Sequence, residues 1–466
     1  QRTANRGSIS TGYDIDNSCK FEDANDEYFT RTNASGTNDK TFTVSFWFKR
    51  TKLGGVQELW DGGVFSEATR IGFGLSSDEL WLDIGKSSRY RSSTTQQFRD
   101  TSAWYHIVWK VDTTQSTEAD RFRVYVNGAE ITDWASRQYP TQNFETSVAS
   151  GLLARIGSYD STYHGSSGYM AEFNYLDGLA VAPTEFGEYD DDSGIWIPKE
   201  YTGSYPGQSC YLDFSNSANL GSNAKGDDVD WTANNISAAD QATDTPTNNF
   251  CTWNPLWAFY RNSTITEGGT EVAGAGGGWS HAGASMGVMN GRWYWEWKIT
   301  SSDIGFISFS TLSGNLNLNQ LGHDNSVIMG YGAGNLYTWL NGSQGSTENT
   351  GWGTWAVNDI IGIFLDVENS DRRFTLYKNG SAISGNVSFP VSFPNAMQTA
   401  NGGGNIFPYN VQYENDGGEW NFGGYTTMSN SKSYSDADGH GSFVYNPVLG
   451  SVNYYAICTK NLAEYG

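Results

Sequence analysis

Residues 41–50 read TFTVSFWFKR, a stretch that sets the fold class of the first part of the chain. Apolar residues occupy every second position from Phe42 to Phe48, with threonine, serine and tryptophan between them. A period of two residues is typical of a β-strand that places one face in a core. The stretch therefore predicts a long strand whose phenylalanines are buried.

Further strands follow at regular intervals. Before residue 200 they are predicted at 70–75, 79–84, 104–111, 121–126, 152–157 and 169–182. Asn127 and Gly128 follow one of them, and both residues tolerate the positive φ of a tight hairpin turn. One helical turn is predicted at 183–189, where Pro183 suits the first helical position. Regular strands with almost no helical periodicity predict a β-sandwich or jelly roll.

A change in composition separates this region from a second one. Residues 214–250 are rich in Asn, Ser, Ala and Asp and hold few apolar side chains. We interpret 206–250 as a connector that lies along a domain surface. Strands resume after it at 292–299, 304–309, 326–331, 335–340, 359–367, 372–378, 406–413 and 419–422, with a second hairpin turn at Asn379-Gly380. The apolar end of residues 431–466 predicts that this segment docks on the second domain.

The composition agrees with an all-β protein. Aromatic residues make up 15% of the 466 residues, and charged residues only 17%. So many rings argue against disorder, and so few charges argue against helical bundles and coiled coils. The formal net charge of −23 repels phosphate backbones and anionic lipids. We therefore expect no nucleic acid partner and no membrane insertion.

The four cysteines, Cys19, Cys210, Cys251 and Cys458, lie too far apart in sequence for a CxxC metal or redox motif. Two long-range disulfides and free buried thiols both stay open. The chain contains no apolar run of about 18 residues, so no membrane-spanning helix is expected. It begins at Gln1 without a signal-like segment, which indicates a processed or truncated start.

The first region resembles the laminin-G/concanavalin-A-like jelly-roll superfamily. The resemblance rests on FTVSFWFKR (42–50), WYHIV (104–108), RVYVNGAEI (123–131) and the glycine- and aromatic-rich stretch 156–186. It implies a β-sandwich domain over residues 1–205. The fold hosts lectins, hydrolases and adhesion modules, so the resemblance alone implies no single activity.

The second region is similar to a SPRY domain. The similarity rests on GRWYWEW (291–297), IGF (304–306), NDIIGIFLD (358–366) and WNFG (420–423). Asn358 stands where the family has glycine, a departure that concerns only turn geometry. The similarity implies a second β-sandwich over residues 251–430 that binds a partner and has no catalytic machinery. The predicted fold class is thus all-β with two β-sandwich domains, laminin-G/concanavalin-A-like and then SPRY-like.

The whole chain is similar to bacteriophage proteins of marine origin that are assigned as virion or tail-fibre proteins. The similarity rests on GYDIDNSCKF (12–21), TDTPTNNFCTWNPL (243–256) and AICTKNLAEYG (456–466). It implies a tail fibre or capsid fibre at the particle surface that recognises a host glycan or protein without catalysis. The implied partners are other virion proteins, the host receptor and further copies of the chain, with a trimer as one option. Many copies on one particle would strengthen weak attachment.

Three alternatives stay open. A virion decoration or adaptor subunit would bind only other virion proteins, and a more distant alternative is a secreted bacterial adhesin. A glycan-depolymerising enzyme would need two facing carboxylates about 5–9.5 Å apart. The E-x-D-x-x-E pattern of such enzymes is incomplete here, because Glu188 and Asp190 are followed by Ser193 where the pattern needs a glutamate. A second pair of carboxylates, Glu172 and Asp177, shares no obvious face. We therefore expect no enzymatic activity.

One acidic segment and two aromatic rims are the candidate binding features. Glu188-Tyr189-Asp190-Asp191-Asp192 offers oxygen ligands for Ca²⁺ but lacks the EF-hand spacing, so a solvated loop is favoured and no cofactor is expected. Rings in loops stack on sugars, and neighbouring amides and carboxylates bind hydroxyl groups. The predicted glycan-facing residues are Tyr159, Asp160, Tyr163 and His164 in a first rim, and Trp279, His281, Trp339, Asn341 and Gln344 in a second.

Overall fold

The computed structural model contains two compact units, unit 1 ending at Asn248 and unit 2 beginning at Asn249. Each unit contains two large β-sheets with a hydrophobic core between them. The predicted all-β fold with two β-sandwiches is therefore confirmed. The residues described are 13–34, 38–63, 68–148, 151–158, 164–258, 263–274, 276–301, 305–311, 326–330, 335–340, 343–349, 351–352, 354–368, 372–383, 391–393 and 404–466.

The described residues of unit 1 form nineteen strands and four short 3-10 helices. The strands are β1 (Ser18–Phe21), β2 (Tyr28–Thr32), β3 (Thr41–Arg50), β4 (Gln57–Asp61), β5 (Arg70–Phe73), β6 (Glu79–Gly85), β7 (Arg89–Gln97), β8 (Trp104–Asp112), β9 (Phe122–Val126), β10 (Ala129–Glu130), β11 (Trp134–Ser136), β12 (Leu153–Ile156), β13 (Gly168–Asp177), β14 (Gly187–Tyr189), β15 (Trp196–Pro198), β16 (Cys210–Leu212), β17 (Lys225–Gly226), β18 (Thr232–Asn234) and β19 (Gln241–Ala242). The 3-10 helices are Asp23–Asn25, Glu118–Asp120, Pro183–Glu185 and Ala238–Asp240. The helical turn predicted at 183–189 is present only over Pro183–Glu185, the third of these, because Gly187–Tyr189 form strand β14.

Strand β3 lies in the middle of a nine-stranded antiparallel sheet with the order β10-β9-β8-β3-β13-β1-β19, while β16 adds to β13 and β17 to β16. Its alternate residues from Phe42 to Phe48 enter the core, as the period of two predicts. The second sheet has the order β11-β7-β6-β5-β4-β12-β2-β18. The two sheets meet through rings, since the ring centroids of Phe42 and Trp60 lie 5.9 Å apart. The aromatic content of the sequence thus fills the space between two packed sheets.

The opposite face of β3 is buried as well. The segment after β13 crosses the outer face of the nine-stranded sheet, where Phe186 and Tyr201 pack on Val108 and Leu176. The alternation in the sequence predicts only one buried face of β3. It gives no signal for the second face, because the segment that covers that face is distant in sequence from β3. The outer face is therefore the second buried layer of unit 1.

The structure corrects the interpretation of residues 206–250 as a connector. Strand β16 pairs with β13, β18 with β2 and β19 with β1, so the segment adds strands to both sheets of unit 1. Leu212 and Trp231 lie in the core. These strands have only two or three residues, too few to show a period of two. They follow loops that account for the polar composition.

The described residues of unit 2 form seventeen strands, three short helices of which two are 3-10, and two large sheets. The strands are β20 (Thr264–Thr266), β21 (Glu271–Ala273), β22 (Trp279–Gly283), β23 (Arg292–Ile299), β24 (Gly305–Thr311), β25 (Ser326–Gly330), β26 (Asn335–Leu340), β27 (Ser343–Asn349), β28 (Ile360–Asp366), β29 (Arg373–Lys378), β30 (Ser381–Ala382), β31 (Val391–Ser392), β32 (Ile406–Tyr413), β33 (Gly417–Asn421), β34 (Val448–Leu449), β35 (Val452–Asn453) and β36 (Tyr455–Ala456). The helices are the 3-10 turns Pro255–Trp257 and Glu267–Gly269 and the α-helix α1 (Thr459–Tyr465).

Strand β23 is the centre of the second core. It lies in a sheet with the order β20-β21-β33-β23-β28-β29-β30, which packs on a sheet with the order β22-β32-β24-β25-β26-β27. Trp293, Trp295 and Trp297 enter the core between the sheets. Tyr294 points to the other face and packs with Phe443 and Tyr454 of the chain's last segment. Rings thus occupy both faces of β23.

The last segment, 431–466, is part of unit 2. Strand β36 pairs in parallel with β23 at Trp293 and Tyr294. Ile457 enters the core between the sheets. The segment therefore covers the outer face of the sheet that contains β23.

All four cysteines are buried free thiols, so the structure favours that alternative over two disulfides. Burial raises the pKa of Cys19 and of Cys210 above the ordinary value. Neither thiol is therefore activated as a nucleophile. Among the helices that the structure describes, none is long and apolar enough to cross a membrane.

Candidate functional site

A pocket of about 240 Å³ lies on the outer face of the eight-stranded sheet of unit 1. We call it the arginine pocket. Its described lining residues are Val56, Glu58, Arg70, Leu75, Trp81, Arg89, Arg91 and His164. Most of them come from the adjacent strands β4, β5, β6 and β7, whose inward residues form the core. Successive side chains of a strand point to opposite faces, which places these polar groups together outside the core.

The indole of Trp81 is fixed within the lining. Trp81 stands opposite Gly72 of β5, which in turn stands opposite Glu58 of β4. A Cβ at Gly72 would lie 2.8 Å from the indole and 2.2 Å from the Gln57 carbonyl oxygen, so only glycine fits. The indole nitrogen donates to the Phe73 carbonyl oxygen over 3.1 Å. Glycine thus lets a large ring lie across the neighbouring strand.

Two arginines are held in place by one buried carboxylate. The Nε of Arg70 donates to Asp83 over 3.0 Å, and Arg91 donates to both oxygens of Asp83 over 2.7 Å each. Their guanidinium carbons lie 5.5 and 5.4 Å from the Trp81 ring centroid, within the range of cation–π contacts. Asp83 is fully buried. Ion pairing and ring contacts therefore orient both guanidinium groups before any ligand arrives.

Glu58 is the most unusual group of the pocket. Its side chain is fully buried, and neither carboxyl oxygen has a hydrogen-bond partner among the residues that the structure describes. The nearest cation is the Nη1 of Arg70, at 3.6 Å. Burial raises the pKa of the Glu58 carboxyl well above its ordinary value, and the nearby Asp61 carboxylate raises it further. The pocket thus contains a carboxyl group that favours the protonated state and has unused hydrogen-bonding capacity.

The open side of the pocket carries Arg89 and His164. The Arg89 side chain is exposed and has no hydrogen-bond or ion-pair partner among the described residues. His164 is also exposed, and its carbonyl oxygen accepts from the Glu58 amide over 2.9 Å. His164 therefore ties the loop before β13 to strand β4 at the pocket.

One residue of the first predicted rim lies at this pocket. His164 belongs to the lining, whereas Tyr159, Asp160 and Tyr163 lie outside the described residues. The arginines, Trp81 and Glu58 were not predicted as site residues. The alternation in ELWLDI (79–84) and RYR (89–91) was a usable signal, because it sets Trp81, Asp83, Arg89 and Arg91 on alternate positions.

The structure does not bring the second predicted rim together. Trp279 and His281 lie in β22 at one edge of the six-stranded sheet, while Trp339 and Gln344 lie in β26 and β27 at the opposite edge. Asn341 lies outside the described residues. His281 is only 2% exposed and stacks on Tyr409, so it is a buried residue of the sheet. Trp279 is half-buried against Tyr413. Trp279 and His281 therefore share no rim with Trp339 and Gln344, and the loop predicted at 279–281 is strand β22.

A serine–histidine pair on the other sheet has no nucleophilic role. The Nε2 of His106 lies 2.9 Å from the Ser45 Oγ, and its Nδ1 accepts from the Trp196 indole over 2.9 Å. An indole nitrogen can only donate, so the proton of the neutral ring is on Nε2 and is donated to Ser45. Burial lowers the pKa of His106 to about 3. The histidine therefore cannot take the serine proton.

The acidic segment 188–192 spans the end of strand β14 and the turn that follows it. Asp190 accepts from the backbone amide and hydroxyl of Ser193, over 2.7 and 2.6 Å. Within the described parts of the chain, no three His, Cys, Asp or Glu side chains are grouped as metal ligands. The Asp190 carboxylate thus serves the local turn.

Glu172 occupies a β-bulge on the outer face of the nine-stranded sheet. Its φ of 54° is left-handed, and the β13–β3 register shifts between Ala171 and Asn174. The hydroxyls of Tyr13 and Tyr211 both donate to its carboxylate. Burial raises the pKa of Glu172 to about 7. The adjoining cavity of about 10 Å³ holds about one water molecule and is too small for a saccharide.

The raised pKa of Glu172 predicts pH-dependent stability. The folded chain binds more protons than the unfolded chain between about pH 4.5 and 7, so stability falls as pH rises through that window. We expect Glu172→Gln to reduce the loss of stability between pH 5 and 7.5 by about 2 kcal/mol. Hydrogen exchange of β13 amides in a urea series at both pH values measures it. Exposed Glu188→Gln is the matched control, and an unchanged pH dependence in Glu172→Gln would contradict the assignment.

The comparisons with known proteins follow the two units. Residues 23–178, within unit 1, match the model of the concanavalin A-like lectin/glucanases superfamily. This confirms the predicted laminin-G/concanavalin-A-like domain. No curated protein sequence matches the chain.

Similar solved structures include the SPRY domain of human HERC1, with 20% identity, a TM-score of 0.25 and coverage of 36% of this chain and 94% of that chain. A SAP-like pentraxin from Limulus polyphemus has 14% identity, a TM-score of 0.30 and coverage of 48% and 97%. Domains LG4-5 of the mouse laminin alpha1 chain have 10% identity, a TM-score of 0.30 and coverage of 97% and 90%. Residues 23–178 of unit 1 thus match the concanavalin A-like lectin/glucanases superfamily, and unit 2 is a second β-sandwich of two packed sheets.

Proposed function

We propose that the protein binds carbohydrate without catalysis and that the arginine pocket of unit 1 is its site. The observation that carries the proposal is a preformed pocket of about 240 Å³, in a domain that matches a lectin superfamily, with Trp81, Arg70 and Arg91 already fixed in its lining. Specific sites combine a ring or apolar wall with a few fixed polar groups. The pocket is smaller than the roughly 300–1,000 Å³ of drug-sized ligands, which suits one sugar unit or its substituent.

Binding fits the chemistry of the pocket better than glycan cleavage. A glycosidase needs one carboxyl group as an acid and a second as a base or nucleophile. Asp83 instead accepts three hydrogen bonds from Arg70 and Arg91. Its carboxylate orients the arginines, which is a positioning role.

The finer proposal places this binding activity on a bacteriophage particle. It is supported by the similarity of residues 12–21, 243–256 and 456–466 to virion proteins of marine phages. On a particle, many weak sites together give firm attachment to a cell surface. A tail or capsid fibre that adsorbs to host glycans is therefore the role we propose.

A pocket-filling variant tests the proposed site. Leu75→Trp adds bulk at a half-buried residue of the lining, and Leu256→Trp makes the same exchange at an exposed leucine of unit 2. Biolayer interferometry of the full chain on neutral, carboxylated and sulfated polysaccharides measures binding. We expect Leu75→Trp to lower affinity at least tenfold and Leu256→Trp to leave it unchanged. The same variants on phage particles should show the same difference in adsorption to host cells.

Two results of this measurement would contradict carbohydrate binding at the arginine pocket. If the unaltered chain binds none of the polysaccharides, carbohydrate binding is rejected. If it binds one and Leu75→Trp binds equally well, the arginine pocket is rejected as the site. Equal thermal stability of the two tryptophan variants is the control for folding.

A further inference from the structure

The charge of the arginine pocket is opposite to that of the chain. Three arginines, Arg70, Arg89 and Arg91, line it, and Asp83 neutralises one of these charges from below. The chain as a whole has a formal net charge of −23. The pocket therefore attracts an anionic group, whereas the negatively charged remainder of the surface repels one. This difference points to an anionic ligand group at the pocket.

Two of the arginines, Arg89 and Arg91, retain unused donors. The Nε and one Nη nitrogen of Arg91 donate hydrogen bonds to Asp83. The other Nη nitrogen of Arg91 makes no hydrogen bond within the described part of the chain. The Arg91 side chain is 30% exposed. Arg89, two residues earlier on the same face of β7, is exposed and has no described partner. Two guanidinium groups on alternate positions of one strand therefore face solvent at the pocket.

We propose that the arginine pocket binds a saccharide through an anionic substituent, a carboxylate or a sulfate, which accepts hydrogen bonds from Arg89 and Arg91. The inference rests on the proposed carbohydrate-binding function of the same pocket. Planar guanidinium groups donate two parallel bonds to such oxygens, which gives both affinity and orientation. Neutral sugars would leave the free donors of Arg89 without an anionic partner.

Glu58 fits the same ligand in its protonated form. Its buried oxygens have no hydrogen-bond partner among the described residues, and burial raises its pKa, so the neutral carboxyl group adds no negative charge beside the arginines. An ionised Glu58 would instead repel the ligand. The charge-neutral variant Glu58→Gln leaves the charge of the pocket unchanged and should keep the affinity within about threefold.

The test uses the full chain and three polymers: dextran as the neutral probe, polygalacturonate as the carboxylated probe and dextran sulfate as the sulfated probe. Arg89→Gln removes the exposed guanidinium. Arg99→Gln is the control outside the pocket lining, because Arg99 is 51% exposed on its side chain, lies two residues beyond the end of β7 and pairs with Asp78 over 3.4 Å. Affinity is measured by biolayer interferometry at two salt concentrations, with thermal unfolding as the control for folding.

We expect one acidic polymer to bind and dextran not to bind, with Arg89→Gln weakening binding about tenfold or more and Arg99→Gln having no effect. The polymer that binds distinguishes carboxylate from sulfate. Equal binding of dextran, or acidic-polymer binding that Leu75→Trp abolishes and Arg89→Gln does not alter, would overturn the anionic ligand and leave carbohydrate binding intact. Absence of binding to every polymer, or binding that Leu75→Trp does not affect, would reject the proposed site itself.

Discussion

Asp244→Asn is expected to destabilise unit 1 by about 3–5 kcal/mol. Asp244 and Lys49 are both buried, 1% and 0% exposed, and the Lys49 Nζ lies 2.6 Å from the carboxylate. The other carboxylate oxygen accepts from the Trp104 indole over 3.1 Å. Removal of the negative charge leaves a buried ammonium group without its counter-ion, and that desolvation cost is the physical reason for the large effect.

Asp244 connects three central strands of the nine-stranded sheet. Lys49 lies on β3 and Trp104 on β8, while Ser18 of β1 donates to the Asp244 carbonyl oxygen over 2.6 Å. Urea unfolding of unit 1, followed by hydrogen exchange of β3 amides, measures the loss. Exposed Asp228→Asn in the same segment is the matched control and should change stability by less than about 0.5 kcal/mol.

A double substitution separates charge from packing. Lys49→Met with Asp244→Asn removes both charges, so it should be more stable than Asp244→Asn alone. Equal stability of the single and double variants would show that the ion pair is not the cause. A neutral effect of Asp244→Asn would contradict the role of this segment in unit 1.

The strands of both cores could be predicted because their signal is local. Strand β3 occupies Thr41–Arg50 and β23 occupies Arg292–Ile299, the ranges that the sequence predicts. Asn127 and Asn379 adopt the positive φ of hairpin turns, 49° and 51°. Alternation and turn residues report on neighbouring positions in the chain, so they identify long strands and tight turns reliably.

The connector could not be interpreted from the same signal. Strands β16 and β18 have three residues each, and their partners β13 and β2 are distant in sequence. A polar strand of this length is stable only because a longer strand supplies the hydrogen bonds. Pairing between distant segments leaves no trace in the local pattern, which is why the polar composition of 206–250 suggested a connector.

The candidate site was missed for a related physical reason. The rim hypothesis relied on rings in loops, and it reached the pocket only at His164. The pocket depends on the lateral neighbours Glu58, Gly72 and Trp81, which come from three strands in one register. Burial of Glu58 and the pairing of Arg70 with Asp83 arise only after the sheet has formed. A polar alternation within a predicted strand is the feature that indicates such a face.

Glu296→Ala is expected to destabilise unit 2 by about 4 kcal/mol. Its buried carboxylate accepts four hydrogen bonds: from the Tyr294 hydroxyl over 3.0 Å, the Asn421 amide over 2.8 Å, and the Val444 and Tyr445 backbone amides over 3.0 and 2.8 Å. Each buried donor that loses its acceptor costs about 1–3 kcal/mol. Glu296→Gln keeps one acceptor oxygen, so its cost should be smaller, about 2 kcal/mol.

The loss of stability in the Glu296 variants should be localised as well as large. Glu296 lies on β23, whereas Val444 and Tyr445 belong to the segment that covers the outer face of its sheet, so the carboxylate holds that segment in place. We expect faster hydrogen exchange at Val444 and Tyr445 in both variants, and a graded loss of unit 2 stability in urea. Exposed Glu464→Gln on α1 is the matched control and should alter neither. Unchanged exchange at these two amides in Glu296→Ala would mean that ring contacts of Phe443 and Tyr454 hold the segment without the carboxylate.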